Sequence, residues 1–178
     1  PARGPHPAAA GARHWPAGYA SAGFVGNSAG SRLAGQPAVF AGDAAFTKVN
    51  RVVWIIVPEN PVYASGGDLV KKVIEGCGGK VPVTYRYALD ISKAAQTAAS
   101  SMAQMKSNNV TTVLCLCDPV SPIFLTPAAN QQQYHPEWFT NWWGDSYGRQ
   151  ADQDQWSHAF STAGQAPKST TLVITAAG

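Results

Sequence analysis

The stretch "LCLCDPVSP", Leu114 to Pro122, sets two cysteines two residues apart and follows them with an aspartate and two prolines. Residues of these types could form a metal site, a dithiol pair, a carboxylate facing a ligand, or a helix cap. In an extended strand residues two apart share a face, which stacks Cys115 and Cys117 and disfavours a bond between them. Zinc would need further ligands, and Cys77, His135 and His158 stand at no recognised spacing, so no metal is expected. The pair is read instead as small buried hydrophobes, the usual behaviour of free cysteine. Asp118 is placed to cap a helix whose first turn opens at Pro119, and the same carboxylate could also face a ligand.

Three other stretches invite chemistry. "GNSAG" at 26–30 fits the G-x-S-x-G pattern of a nucleophile elbow, with Ser28 as nucleophile and Asp118 or Asp145 with His158 as partners. That chemistry needs a strand ending just before the serine, and "YASAGFV" makes a poor core strand. A serine hydrolase using Ser28 is therefore the alternative reading, and a glycine-rich surface helix the plainer one. "GCGGK" at 76–80 lacks the Ser or Thr of a phosphate loop and follows a helix where such a loop follows a strand. Its glycines read as helix-stop residues. His135, before a proline in "YHPEW", reads as a solvated connector. Trp138 and Phe139 read as core, whereas the adjacent Trp142 and Trp143 would point to opposite faces of a strand, one packing and one lining a site.

The elements that must position these groups are legible from residue 51 onward. "RVVWIIVP" is an apolar, β-branched run closed by proline, as in a strand buried on both faces of a parallel sheet. "SGGDLVKKVIEGCGG" follows as a helix, with Leu69, Val70, Val73, Ile74 and Cys77 on its inner stripe and Gly78 and Gly79 as a stop. "VPVTYRYAL" alternates as a strand nearer an edge, where Pro82 is tolerated. "SKAAQTAASSMAQMKSNN" is an alanine-rich helix with Ala95, Ala98, Met102 and Met105 inward, and "VTTVLCLC" a second central strand. A third helix within 120–133, shortened or kinked at Pro127, leads to a fourth strand in "EWFTNWW".

This alternation implies an α/β fold, an open parallel sheet with helices on both faces. Such sheets bind ligands just beyond the carboxyl ends of their strands. The residues gathered there are Glu59, Asn60, Tyr63, Asp90, Asp118, Pro119, Ser121, Trp142, Trp143 and Asp145, a rim of acceptors and aromatic faces suited to a small polar or amphipathic ligand.

Composition narrows the classes further. At 178 residues one compact unit is expected. Charged residues make up 13 %, about half the ~25 % of average domains. The net charge of +3 is scattered, with no basic stripe, so nucleic acid is not an expected partner. The longest apolar run, "VVWIIV" at 52–57, falls far short of the ~20 residues that cross a bilayer, and no cleavable signal precedes it; a soluble chain is expected. Three cysteines leave at least one thiol free.

"RVVWIIVPENPVYASGGDLV", "TTVLCLCDPVSPIFLTPAANQQQYHPEW", "DQDQWSHAF" and the upstream "GSRLAGQPAVFAGD" together resemble actinobacterial type I periplasmic binding proteins, the leucine/isoleucine/valine-binding-like solute receptors of ABC transporters. The resemblance spans about 15–160, mainly as the second of the family's two lobes. It leaves 1–14 as an irregular head and 161–178 as a tail unlike the family. It implies a non-enzymatic receptor for amino acids or similar small polar molecules, with no cofactor, an ABC permease as partner and an extracytoplasmic home. Tyr63 stands where the family places a tyrosine against the ligand, and Asp118 and Pro119 stand where the loop after the third strand reaches the cleft. Trp143 lies near a family acidic residue that holds the ligand's amino group, and a tryptophan there offers only a cation–π face. The first lobe is missing, so the chain resembles a fragment, and an inactive truncated product is a further alternative.

Overall fold

The computed structural model describes residues 37–76, 79–140 and 150–161. Ser28, Trp142, Trp143, Asp145 and Cys77 lie outside the described residues, as do the glycine-rich helix expected around "GNSAG", the head 1–14 and the tail beyond 161.

The elements run β1 (Val53–Pro58), α1 (Pro61–Gly76), β2 (Thr84–Tyr87), α2 (Ala94–Ser107), β3 (Thr112–Cys115), α3 (Ser121–Gln131), β4 (Glu137–Thr140), α4 (Gln153–Trp156) and β5 (Ala159–Ser161), with short 3-10 turns at Phe46–Lys48 and Ile91–Lys93. The five strands form one sheet in the order β2-β1-β3-β4-β5, with every pairing parallel. Ile55 stands beside Thr84 on one side and Leu114 on the other, and Leu114 beside Phe139.

The chain steps from β1 outward to β2, then crosses back over β1 to β3 and continues to β4 and β5. If every crossover keeps the same right hand, this reversal sends α1 to one face of the sheet and α2 and α3 to the other. The packing obeys it. Val53, Ile55, Val57, Leu114, Leu116 and Phe139 pack with Val70 and Ile74 of α1. Trp54, Ile56, Val113, Cys115 and Trp138 pack with Met102 and Met105 of α2 and Leu125 and Ala129 of α3. All six residues of β1 are buried, the result of a strand covered on both faces. Helix α1 approaches β1 at Gly67, where an added Cβ would stand 3.3 Å from Val57 Cγ1.

The amino-terminal end of the sheet is closed by a buried ion pair. Arg51 donates from Nε to Glu137 Oε1 and from Nη2 to Oε2 at 3.2 Å, with side chains only 5 % and 0 % exposed. Thr112 Oγ1 donates to Glu137 Oε1 at 2.7 Å and the Phe40 backbone N–H to Oε2 at 3.4 Å. One carboxylate thereby ties the segment before β1 to the starts of β3 and β4.

Several expectations from local pattern are corrected. Helix α1 begins at Pro61, four residues before "SGGDLV", so its buried stripe is Ala64, Gly67, Val70 and Ile74, and Leu69 stays exposed. In α2 the buried residues are Ala98, Ser101, Met102 and Met105, and Ala95 is exposed. Pro127 sits inside α3, which continues through it to Gln131. Packing against α2 and the Asp152 N–H donated to Thr126 Oγ1 at 2.9 Å offset the lost intrahelical bond. Strand β5 has no counterpart in the sequence reading: at three residues it carries too short a pattern to be seen locally.

Candidate functional site

The connection from β1 leaves toward β2 and that from β3 leaves toward β4, so a crevice opens outside the carboxyl ends of these neighbouring strands. The strands stay joined up to the Leu116 N–H, which donates to the Ile56 carbonyl at 3.0 Å, and diverge beyond it into 58–60 and 117–120.

Asp118 is the best-held group at this rim. Its Oδ1 accepts the N–H groups of Val120 and Ser121 at 2.9 and 3.1 Å, and its Oδ2 accepts the Tyr87 hydroxyl at 2.7 Å and the Ser121 hydroxyl. Partial burial opposes its charge, but these four donors, led by the two hydroxyls, outweigh that and hold the carboxyl below its usual value. Burial pushes the Tyr87 hydroxyl strongly up, and the Asp118 charge adds to that, so Tyr87 stays a proton donor. Asp118 therefore does serve the start of α3, as its sequence position implied, but from two residues further out. The helix opens at Ser121 with Pro122 inside its first turn, and Pro119 lies in the preceding turn.

The same economy recurs at the other strand ends. Asn60 Oδ1 accepts the Val62 N–H at 3.0 Å at the start of α1. Asp90 Oδ1 accepts the Ser92 N–H at 3.0 Å and its hydroxyl at 2.6 Å, with Lys93 Nζ 3.5 Å from Oδ2. The Ser92 hydroxyl is the main reason that the Asp90 carboxyl is held below its usual value. Three of the rim residues singled out from the sequence are thus helix-start acceptors as well.

Between the first turns of α2 and α3 lies an open cavity of about 180 Å³. Asp90, Asp118 and Ser121 line it together. Its other walls are mostly apolar: Leu89 and Ile91 after β2, Ala94 on α2, and Phe124 and Leu125 on α3, with Tyr87 and Thr97 adding a hydroxyl each. Leu89, Ile91 and Val120, three large apolar residues left exposed, stand around it.

The remaining sequence-selected residues are more dispersed. Glu59 and Asn60 are exposed at the end of β1, and the Glu59 N–H reaches the Tyr87 carbonyl at 2.7 Å. Tyr63, expected in a loop, stands in the first turn of α1 and packs in part against the α1-side core, away from the cavity. Tyr87, Leu89, Ile91, Phe124 and Leu125 were not among the candidates. Tyr87 had a signal, being the last inward position of an alternating strand just before the rim.

The cysteine expectation is corrected at the same loop. Cys115 and Cys117 are both buried, as expected, yet their sulfurs are bonded to each other. Strand β3 ends at Cys115, and the exit toward Asp118 draws the two Cα atoms to 5.0 Å, short of the ~6.6 Å of two strand residues and within the span a disulfide bridges. His135, expected to be a solvated connector, is half-buried, with Nε2 3.1 Å from Asn130 Oδ1 and 3.3 Å from Asp154 Oδ2. Among the described residues no group of three or more His, Cys, Asp or Glu could hold a metal ion.

No protein-family model matches the sequence, and no curated protein matches it. Solved structures do share the fold. An ABC transporter substrate-binding protein from Aeropyrum pernix is similar over 61 % of this chain and 29 % of its own, at a TM-score of 0.51 and 17 % identity. A protein from Silicibacter pomeroyi described as a branched-chain amino acid ABC transporter is similar over 59 % and 26 %, at 0.50 and 9 %. The sheet and its helices have the fold of one lobe of a type I periplasmic binding protein. The chain spans less than a third of the length of these structures. Among the described residues no helix is long and apolar enough to cross a membrane.

Proposed function

We propose that this chain is a solute-binding lobe of an ABC-type importer receptor, 15–160 forming the lobe, which holds a small amphipathic molecule at the rim of its sheet. The observation that carries this reading is the cavity beside the crevice at the carboxyl strand ends, apolar in body with convergent polar groups from Asp90, Asp118 and Ser121. Glu59, Asn60 and Pro119, with Trp142 and Trp143, complete the proposed rim. The saturated hydrogen bonding of Asp118 suits binding better than catalysis: the group is a fixed acceptor with no proton to give, and we assign the chain no enzymatic step. By analogy with the similar structures the ligand belongs with amino acids and related small molecules, a second lobe closes over it, a permease receives it, and the receptor works outside the cytoplasm.

The test is a thermal-shift screen of the purified chain against amino acids, amines, amides, short-chain acids and sugars. Ligand binding to the native state raises the melting temperature by linkage, by an amount that grows with concentration. A shift that disappears when Ser121→Trp blocks the cavity supports the reading. A cooperative melt that no compound moves refutes it.

A further inference from the structure

We propose that the cavity between α2 and α3 selects a small organic ammonium ion that carries an apolar body and no carboxylate. This rests on the solute-binding reading and narrows its ligand class. Two features argue for it independently.

The first is size and lining. At about 180 Å³, with Leu89, Ile91, Phe124 and Leu125 around it, the space matches a six-membered ring or a branched five-carbon chain; an apolar cavity of roughly 150 Å³ is enough to hold benzene. The half-buried Phe124 ring in the wall adds aromatic surface for such a body.

The second is charge. Among the described residues the titratable groups lining the cavity other than Tyr87 are two carboxylates, Asp90 and Asp118, and no Lys, Arg or His lines it. A ligand carboxylate placed here would meet two carboxylates, with no cation in the described lining to pair with it, and burying it unpaired is costly. Lys93, beside the lining, is exposed and turned to Asp90. The two acids differ in what they offer. Both oxygens of Asp118 are already taken by donors, so its role is a fixed negative field. Asp90 Oδ2 faces only Lys93 at 3.5 Å, an exposed pair that an ammonium can replace. An ammonium thus has a receptive oxygen in Asp90 and an attractive charge in Asp118, whereas an amino acid brings a carboxylate with no partner on this lobe.

The experiment is titration calorimetry of the intact chain with benzylamine, benzyl alcohol, isopentylamine and leucine, paired with Asp90→Asn and with Ala94→Trp, which fills the cavity from α2. About eight non-hydrogen atoms can supply a dissociation constant of about millimolar or tighter. Benzylamine or isopentylamine should bind, benzyl alcohol and leucine at least tenfold more weakly, and the amine affinity should fall about tenfold or more in Asp90→Asn. Amide chemical-shift changes confined to 88–98 and 118–125 give the location on the unmodified chain should Ala94→Trp not fold. Leucine binding as tightly as isopentylamine overturns this inference while leaving the solute-binding reading in place. So does benzyl alcohol matching benzylamine, or amine binding indifferent to the cavity. Binding by none of the probes overturns the inference, and if the wider screen is also silent the solute-binding reading falls with it.

Discussion

Replacing Arg51 by methionine should be among the most damaging single changes in the described fold, although Arg51 lies at the opposite end of the sheet from the cavity. The Glu137 side chain is fully buried, and among the described residues Arg51 supplies two of its donors and its compensating charge, alongside the Thr112 hydroxyl and a long contact from the Phe40 N–H. Stranding a buried carboxylate in this way costs about 3–5 kcal/mol, a large share of the ~5–15 kcal/mol that holds a domain folded. Removing the charge from both partners is a different perturbation. Arg51→Met with Glu137→Gln keeps an acceptor for Thr112 and leaves no ion to solvate, and such replacements of buried pairs are often neutral or stabilising. The assay is urea unfolding followed by tryptophan fluorescence, with Trp54 and Trp138 buried in the core as reporters. With m of about 2 kcal/mol/M, Arg51→Met should lower the midpoint by roughly 1.5–2.5 M at unchanged m, and the double variant should recover most of it. A single-variant loss below about 1 kcal/mol, or a double variant as unstable as the two single losses summed, would refute the claim that the desolvated charge dominates.

Four further outcomes are expected. Because the Asp118 carboxyl is held below its usual value, its stabilisation is present at neutral pH and lost as pH falls through the folded-state value; the gap between the parent and Asp118→Asn should therefore close below about pH 4 in acid-unfolding curves. Burial raises Tyr87 and Tyr134, so these two should resist ionisation in an ultraviolet titration of the native chain, and their contribution to stability should be flat below about pH 10 and fall above it. Thiol counting after denaturation without reductant should find one reactive cysteine of three; three would show that Cys115 and Cys117 are unbonded. Gly66→Ala, whose Cβ meets nothing within 4 Å, should stabilise α1 by about 0.5–1 kcal/mol in the same urea assay, and Gly67→Ala should gain less because Val57 is 3.3 Å away.

How far local pattern reaches is clearest on β1 and α2. "VVWIIV" could only be a strand buried on both faces, and the structure covers it with α1 on one side and α2 and α3 on the other. Met102 and Met105 turn inward as their spacing requires. The alternation of strand and helix implied an open parallel sheet, and the strand order with its reversal bears that out. The candidate rim was chosen by the same logic, since strand ends and the loops after them can be counted along the chain. Asp90, Asp118 and Ser121 do meet at one cavity.

What needed the folded molecule was everything that depends on neighbours distant in sequence. Tyr87 and Asp118 are 31 residues apart and bond only because β2 and β3 flank β1. Arg51 and Glu137 are 86 apart, and no periodicity marks either as buried. Tyr63 reads as a rim residue by chain position, yet the rotation of α1, set where Gly67 meets Val57, turns it toward the core. The Cys115–Cys117 bond depends on where β3 stops, a boundary fixed by pairing with β1 and β4 rather than by the residues of "LCLC". Periodicity is a property of one element and survives in the sequence; registry, helix rotation and the pairing of buried charges are properties of two or more elements, and arise only when those elements pack.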